Sequence, residues 1–233
     1  MRPAFTLIEL LVVIAIIAIL AAILFPVLSR SSEQARKIAC ASNMKQLALS
    51  VLMYASEYDQ TLPPYSLGAG YQGIEGYGGA DGPRWADMIY PYVRNLQIYA
   101  CPSAAAPVSL YPEGVYLSVT TYSYGINAAG SATTPFGASA RPLNAFADPA
   151  STIMLAEDGR FDPSGDLESY GLETVVATDT LETLSYRVNA LRHTGAAPTA
   201  YQSQALNLAY VDGHVKFMPL AATYPSQWEA WIP

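Results

Sequence analysis

From Leu10 to Phe25 the chain runs for sixteen residues without a polar side chain, almost wholly Leu, Ile, Val and Ala. Extended from Phe5 to Leu28, the apolar segment is 24 residues long and is interrupted only by Thr6 and Glu9. An apolar helix of about 20 residues crosses the roughly 30 Å hydrocarbon core of a bilayer. The segment therefore predicts a membrane-spanning helix, and the rest of the chain is whatever that helix anchors. One residue resists this reading. A carboxylate inside such a span costs about 2.5–3.5 kcal/mol on insertion scales, so Glu9 calls for a compensating partner.

Three origins for the segment can be compared. A cleaved secretory signal fits poorly, because the apolar run exceeds an ordinary signal core and no small-x-small site follows Leu24. A plain signal anchor fits the length but leaves Glu9 unexplained. A short basic leader, Met1-Arg2-Pro3-Ala4, ending in a small residue before Phe5-Thr6-Leu7-Ile8-Glu9, uses every residue. Cutting after Ala4 creates an α-amino group four residues from Glu9.

These residues resemble the class III leader of type IV pilins and type II secretion pseudopilins, with Ala4 standing where the family usually has Gly. Pro26 falls where such helices commonly carry a proline. The resemblance implies a prepilin peptidase that cuts between Ala4 and Phe5 and N-methylates Phe5. It also implies pilin or pseudopilin subunits as filament partners, and a single-pass location in a bacterial inner membrane with the head outside the cytoplasm. In a filament, Glu9 then pairs with the α-ammonium group of a neighbouring subunit, and a paired buried charge is tolerable where an unpaired one is not. Charge alone points the other way for orientation: Arg2 precedes the span, whereas Arg30, Arg36 and Lys37 follow it. The leader signature places the head extracytoplasmically.

Ser29 to Tyr58 contains no Gly or Pro and continues the helix. Cys40, Met44, Leu47, Val51, Tyr54 and Tyr58 recur at spacings of four and three, and Ala48, Leu52 and Ala55 widen the stripe. Such a face docks a globular head. Pro26 is expected to kink the helix or loosen one turn, and Leu62-Pro63-Pro64 to end it. Beyond it, residues 65–83 read as a Gly- and Tyr-rich loop, Trp85 to Val93 as a short helix, and Ile98 to Pro102 as a short strand or turn. Thr120 to Tyr124 reads as a strand ending at Gly125, residues 128–149 as a long loop, and Thr152 to Ala156 as a buried strand. Glu173 to Thr178 and Leu184 to Val188 are further candidate strands. Leu206 to Val211 and His214 to Met218 flank Asp212-Gly213, which predicts a hairpin closed by a type I′ turn. The fold expected is α+β: one long N-terminal helix, transmembrane in its first half, packed on a C-terminal antiparallel sheet with long loops. Its parts are leader 1–4, membrane and assembly helix 5–28, amphipathic continuation 29–58, and extracytoplasmic head 59–233.

The whole chain also resembles a branch of bacterial pilin-like proteins that combine this leader with a C-terminal motif of His, nine residues, then Asp-Gly. The matching pieces are Cys40-x-x-Asn43-Met44-Lys45-Gln46-Leu47, Tyr54-Ala55 with Tyr58-Asp59, Leu62-Pro63-Pro64, and Cys101-Pro102-Ser103. They continue with Ser123 to Asn127, Glu157, Arg192-His193 and Val211 to Val215. Here 18 residues, not nine, separate His193 from Asp212.

Chemistry-bearing residues are few. His193, His214, Asp212, Glu157 and Asp158 are the candidates for a site. A metal reading gathers His193, Asp212 and a carboxylate such as Glu157 near the hairpin, with calcium favoured by carboxylates and zinc by mixed N and O ligands. The competing reading has Asp212 selected for its turn and His193 for a hydrogen bond. No resident cofactor is expected. Cys40 and Cys101 allow one internal bridge or two buried thiols, and Cys101 approaches Cys40 if the head packs on the stripe. No nucleophile, zincin or phosphate-loop motif is present, so an enzyme is not expected. The net charge of −7, spread along the chain, argues against nucleic acid as a partner. Two readings of function follow. One is a pilin- or pseudopilin-like filament subunit. The other is a membrane-anchored head that binds a glycan or other ligand, using the leader for export, with the 17 tyrosines as its contact surface.

Overall fold

The computed structural model describes residues 6–64, 85–104, 123–128, 130–131, 134–135, 138–157, 172–173, 193 and 204–223 of the 233. Its longest element is helix α1, Leu7–Glu57, 51 residues and so about 75 Å long. The first turn is closed by a capping box. The Thr6 hydroxyl accepts from the Glu9 backbone N–H (3.3 Å), and the Thr6 backbone N–H donates to Glu9 Oε2 (2.8 Å). The Thr6 hydroxyl donates to the same Oε2 (2.7 Å). Pro26 lies inside α1 without interrupting its helical assignment.

α1 has two halves with different surroundings. Every large aliphatic or aromatic residue from Leu7 to Leu28 is exposed. From Cys40 onward one face is buried, at Cys40, Met44, Leu47, Ala48, Ser50, Val51 and Ala55. The 4–3 spacing thus locates the docking face, but the face ends one turn early: Tyr58 is 53% exposed and stacks on Tyr54 with ring centroids 4.2 Å apart. The helix also stops earlier than the proline pair. Asp59 and Gln60 both adopt left-handed backbone (φ 51° and 56°), which turns the chain before Leu62. Leu62 is then buried, and its N–H donates to the Arg141 carbonyl (2.8 Å).

Helix α2, Trp85–Val93, lies against the end of α1. Trp85, Ala86 and Ile89 form its buried face, and the Tyr92 hydroxyl donates to Glu57 (2.5 Å). That bond holds the Tyr92 phenol protonated, pushing its pKa up to about 12. Pro91 is accommodated two residues before the helix ends at a left-handed Arg94 (φ 49°). A strand or turn was expected at 98–102; a single turn of 3-10 helix, Leu96–Tyr99, is found, started by the Asn95 side chain accepting from Gln97 N–H (3.0 Å). A local cap that bonds at i+2 favours this tight turn over an extended chain.

The sheet has the order β5-β1-β4-β6-β7, built from β1 (Tyr124–Ala128), β4 (Ile153–Glu157), β5 (Leu172–Glu173), β6 (Ala205–Tyr210) and β7 (Val215–Pro219). β1, β4, β6 and β7 form an antiparallel ladder, and β5 joins β1 in parallel over two residues. A two-stranded ladder of β2 (Gly130–Ser131) and β3 (Thr134–Pro135) and a 3-10 turn at Leu143–Ala145 occupy part of the stretch expected to be loop. β1 begins where the predicted strand was to end. Gly125 does not stop it, because Gly125 faces Ala156 across the ladder, small against small. Residues 120–122, 174–178 and 184–188 of the predicted strands lie outside the described residues.

β4 and β6 are buried at every position, so neither shows an alternation of buried and exposed residues; they are apolar except for Glu157 at the end of β4 and Asn207 within β6, both of them buried. They pack on α1, whose Met44, Leu47 and Val51 share one core with Trp85, Tyr124, Ile126, Met154 and Leu155. The β6–β7 hairpin corrects the expected turn. Tyr210 N–H donates to the His214 carbonyl (2.9 Å) and Gly213 N–H to the Tyr210 carbonyl (2.8 Å), leaving a three-residue loop, Val211-Asp212-Gly213. Only Gly213 has positive φ (85°), whereas type I′ needs it at both central residues. Gly213 is favoured for a second reason: a Cβ there would sit 3.0 Å from Leu52 Cδ1 on α1, a tight contact to which that side chain would have to yield. Lys45 Nζ donates to the Gly213 carbonyl (2.7 Å), fastening the loop to the helix.

These contacts set an order of mutational sensitivity, measured by urea unfolding of the detergent-solubilised protein. Leu47→Ala is expected to cost about 2–5 kcal/mol. Gly213→Ala is expected to cost about 1–2 kcal/mol from left-handed strain, with the Leu52 contact adding to it. Ile38→Ala, at a site 67% exposed, is expected to change stability by less than about 0.5 kcal/mol.

Candidate functional site

At the end of the α1–sheet contact nearer the apolar half, the side chains of Glu33, Ser103, Glu157, His193 and Asn207 converge beside a disulfide. The α1 contribution follows from its periodicity. Glu33 and Lys37 continue the spacing Cys40, Met44, Leu47 backwards by three and four, so the head-docking face begins with two charges. Asn43, three residues after Cys40, donates from Nδ2 to the Ala100 carbonyl (3.0 Å), which brings the next residue, Cys101, onto the helix. Tyr124 Oη donates to the Cys40 carbonyl (3.3 Å). Cys40 and Cys101 are joined by a disulfide, with Cα atoms 5.0 Å apart.

The sheet supplies the rest. Glu157, the last residue of β4, is wholly buried. Asn207 on the neighbouring β6 donates to both of its oxygens, from the backbone N–H to Oε2 (3.0 Å) and from Nδ2 to Oε1 (2.8 Å). His193 lies between sheet and helix, with its side chain fully buried. Its Nε2 is 2.9 Å from Glu157 Oε1, and its Nδ1 is 2.8 Å from Glu33 Oε1. Ser103 Oγ donates to the same Glu33 oxygen (2.8 Å). The Phe217 ring lies edge-on to His193 (6.5 Å) and carries Lys37 Nζ over its face (4.1 Å).

The geometry favours a doubly protonated imidazole. Ionised carboxylates only accept, so an imidazole with a carboxylate oxygen at each nitrogen satisfies both by carrying two protons. Burial opposes the charged form of His193. The hydrogen bond and charge of Glu157, then those of Glu33, outweigh it and hold the pKa above the ordinary 6.5. For Glu33, burial works upward, but the bonds from His193 and Ser103 prevail and its pKa lies below the ordinary 4.5. Glu157–His193–Glu33 is therefore an ion triad that ties β4 to α1 beside the disulfide that ties Cys101 to α1.

Of the residues singled out in the sequence, Glu157 and His193 meet in this triad, and Cys101 Sγ lies 3.6 Å from His193 Nε2. Asp212 is elsewhere. It sits in the β6–β7 loop, accepting from the His214 backbone N–H (3.0 Å) with His214 Nδ1 at 2.6 Å, while His214 stacks on Tyr210. Among the described residues, Cys40, Cys101, Glu157 and His193 form a group of metal-type ligands whose atoms all lie within 4.8 Å of one another. Asp212 is not part of that group and is held by its own turn. Asp158, Ala4 and Phe5 lie outside the described residues, and Glu9 stands in the capping box. Sequence reasoning missed Glu33, Ser103 and Asn207. Glu33 was recoverable, since it lies seven residues before Cys40 on the same helix face. No local pattern marks Asn207.

Residues 2–25 match the prokaryotic N-terminal methylation motif, and residues 31–109 match a family described as a protein of unknown function, DUF1559. No curated protein and no solved structure matches the chain. The architecture is pilin-like. A methylation motif leads into a long apolar helix whose second half packs on an antiparallel sheet, and the motif implies processing by a prepilin-type peptidase. The DUF1559 segment covers the helix side of the triad, Glu33, together with both cysteines and Ser103.

The triad predicts a pH profile for the disulfide-bonded protein. Because the folded pKa of His193 is raised, its stabilisation is complete below about pH 6.5 and is lost as pH climbs through the elevated value. Glu33, with a lowered pKa, contributes above about 4.5 and loses its share as pH falls through the depressed value. Thermal unfolding followed from about pH 5 to about pH 9 should show a fall on the alkaline side that His193→Gln flattens. Replacing both cysteines by Ala opens a link between residues 61 apart and should lower stability by up to about 4 kcal/mol in denaturant titrations.

Proposed function

We propose that this chain is a structural subunit of a filament of the type IV pilus or type II secretion kind. It is made with leader 1–4, cut between Ala4 and Phe5 by a prepilin peptidase, and N-methylated at Phe5. Residues 5–28 hold it in the bacterial inner membrane until they enter the filament bundle, residues 29–58 carry the head, and residues 59–233 form that head outside the cytoplasm. The observation that carries this reading is the exposure of the first half of α1. Its large apolar residues range from 47% exposed at Val13 to 78% at Leu7, and among the described residues the head meets the helix from the Glu33 turn onward. Such a surface needs lipid or other helices around it.

Glu9 serves both environments. Within one chain its carboxylate satisfies the N-terminal turn through Thr6, which reduces the cost of a carboxylate in lipid. In the bundle, the same carboxylate pairs with the methylated ammonium group of a neighbouring Phe5 and sets the register. Gln can replace Glu in a capping box but carries no charge, so two substitutions separate the roles. Glu9→Gln and Glu9→Ala should both abolish recovery of the protein in sheared filaments, while only Glu9→Ala also frays the first turn. Filament recovery at the wild-type level in Glu9→Gln would overturn the charge-pairing role. Ala4→Leu should leave intact mass beginning at Met1, in place of N-methylated Phe5. A wild-type chain that is cut and methylated yet never found in filaments would favour instead the exported head that binds a glycan or other ligand.

A further inference from the structure

We propose that, with its disulfide reduced, the chain binds one zinc-like divalent cation through Cys40, Cys101, His193 and Glu157. The disulfide and the metal centre are then alternative states of the same junction. All four side chains are buried, and their ligand atoms lie within 4.8 Å of one another. A tetrahedral zinc with bonds of about 2.0–2.3 Å needs ligand atoms about 3.3–3.8 Å apart. Cys101 Sγ to His193 Nε2 is already 3.6 Å, and the two sulfurs need only separate once their bond is gone.

The surroundings are those that a metal centre uses. His193 Nδ1 faces Glu33 Oε1 at 2.8 Å, which fixes Nδ1 as the protonated nitrogen and leaves Nε2 to bind the ion. Asn207 holds both Glu157 oxygens, so the carboxylate is oriented before any cation arrives. In the oxidised chain, the proton on Nε2 fills the space between His193 and Glu157 that the cation would take.

The chemistry balances with a dithiol as reductant. Its two electrons and two protons convert the Cys40–Cys101 bond to two thiols, and the dithiol becomes a disulfide. Metal binding then displaces the two thiol protons and the Nε2 proton to solvent. Two thiolates, one carboxylate and a neutral imidazole remain around the ion, a donor set suited to zinc and unsuited to calcium.

The test uses the full chain in detergent, oxidised or reduced and desalted under anaerobic conditions, titrated with cobalt(II) and then zinc. The reduced wild type should take up one equivalent of cobalt with thiolate charge-transfer absorption and visible bands of tetrahedral intensity, and zinc should bleach both. The oxidised chain should show neither. His193→Gln should weaken binding at least about tenfold and alter the visible bands, whereas Glu33→Gln should keep the stoichiometry and weaken binding about 10–100-fold. If reduction loosens the sheet, one equivalent of zinc should restore its far-ultraviolet circular dichroism. A reduced chain that zinc neither binds nor refolds overturns the proposal. Binding unchanged by His193→Gln overturns it as well, since the cysteines would then be acting without the triad.

Discussion

Everything in this molecule depends on one helix with two different surfaces. The first half of α1 presents apolar side chains all round, and the second half presents a single buried stripe from Cys40 to Ala55. Neither half is stable in the environment of the other. An all-round apolar surface cannot remain in water, and the second half carries Glu33, Arg36, Lys37 and Lys45 on a surface that lipid would not accept. Among the described residues, the head packs on the second half. Its loops, strands and α2 attach to α1 at many separate points, including the Ala100 carbonyl, the Gly213 carbonyl, Tyr124 and Tyr92.

The polar junction at Glu33 lies where these two regimes approach each other. Two members of the triad, His193 and Glu157, are buried, and Glu33 is half-exposed. Such a group contributes little net stability against an apolar core of equal volume, since desolvation offsets most of the attraction. Its contribution is directional. A hydrophobic stripe can slide along a sheet by one helical turn at modest cost, whereas His193 caught between Glu33 and Glu157 accepts one register. The covalent link at Cys40–Cys101 enforces the same register by a second means.

Features set by neighbouring residues were legible in the sequence: the apolar span, the docking stripe, α2, the buried β4 and the hairpin position. Each depends on periodicity or on a turn residue within a few positions. The capping box was equally local, Thr6-x-x-Glu9 in plain view, and was overlooked because Glu9 was weighed only as a charge in lipid. The stripe was cut short at Cys40 because charged residues were assigned to solvent, although Glu33 and Lys37 keep its spacing. The triad itself joins residues 160 and 36 positions apart, so no local rule yields it. The turn type failed for a related reason. Asp-Gly permits a two-residue loop, but the approach of Gly213 to Leu52 and Lys45 selects a three-residue one.

The position of the disulfide has a mechanical meaning. A load applied through the exposed half of α1 reaches the head first at Glu33 and Cys40, the end from which the helix would otherwise be stripped away one turn at a time. A crosslink at that end removes the weakest geometry, sequential peeling, and forces the whole interface from Cys40 to Ala55 to yield in shear at once. A chain built this way resists pulling along its axis with the full length of its core.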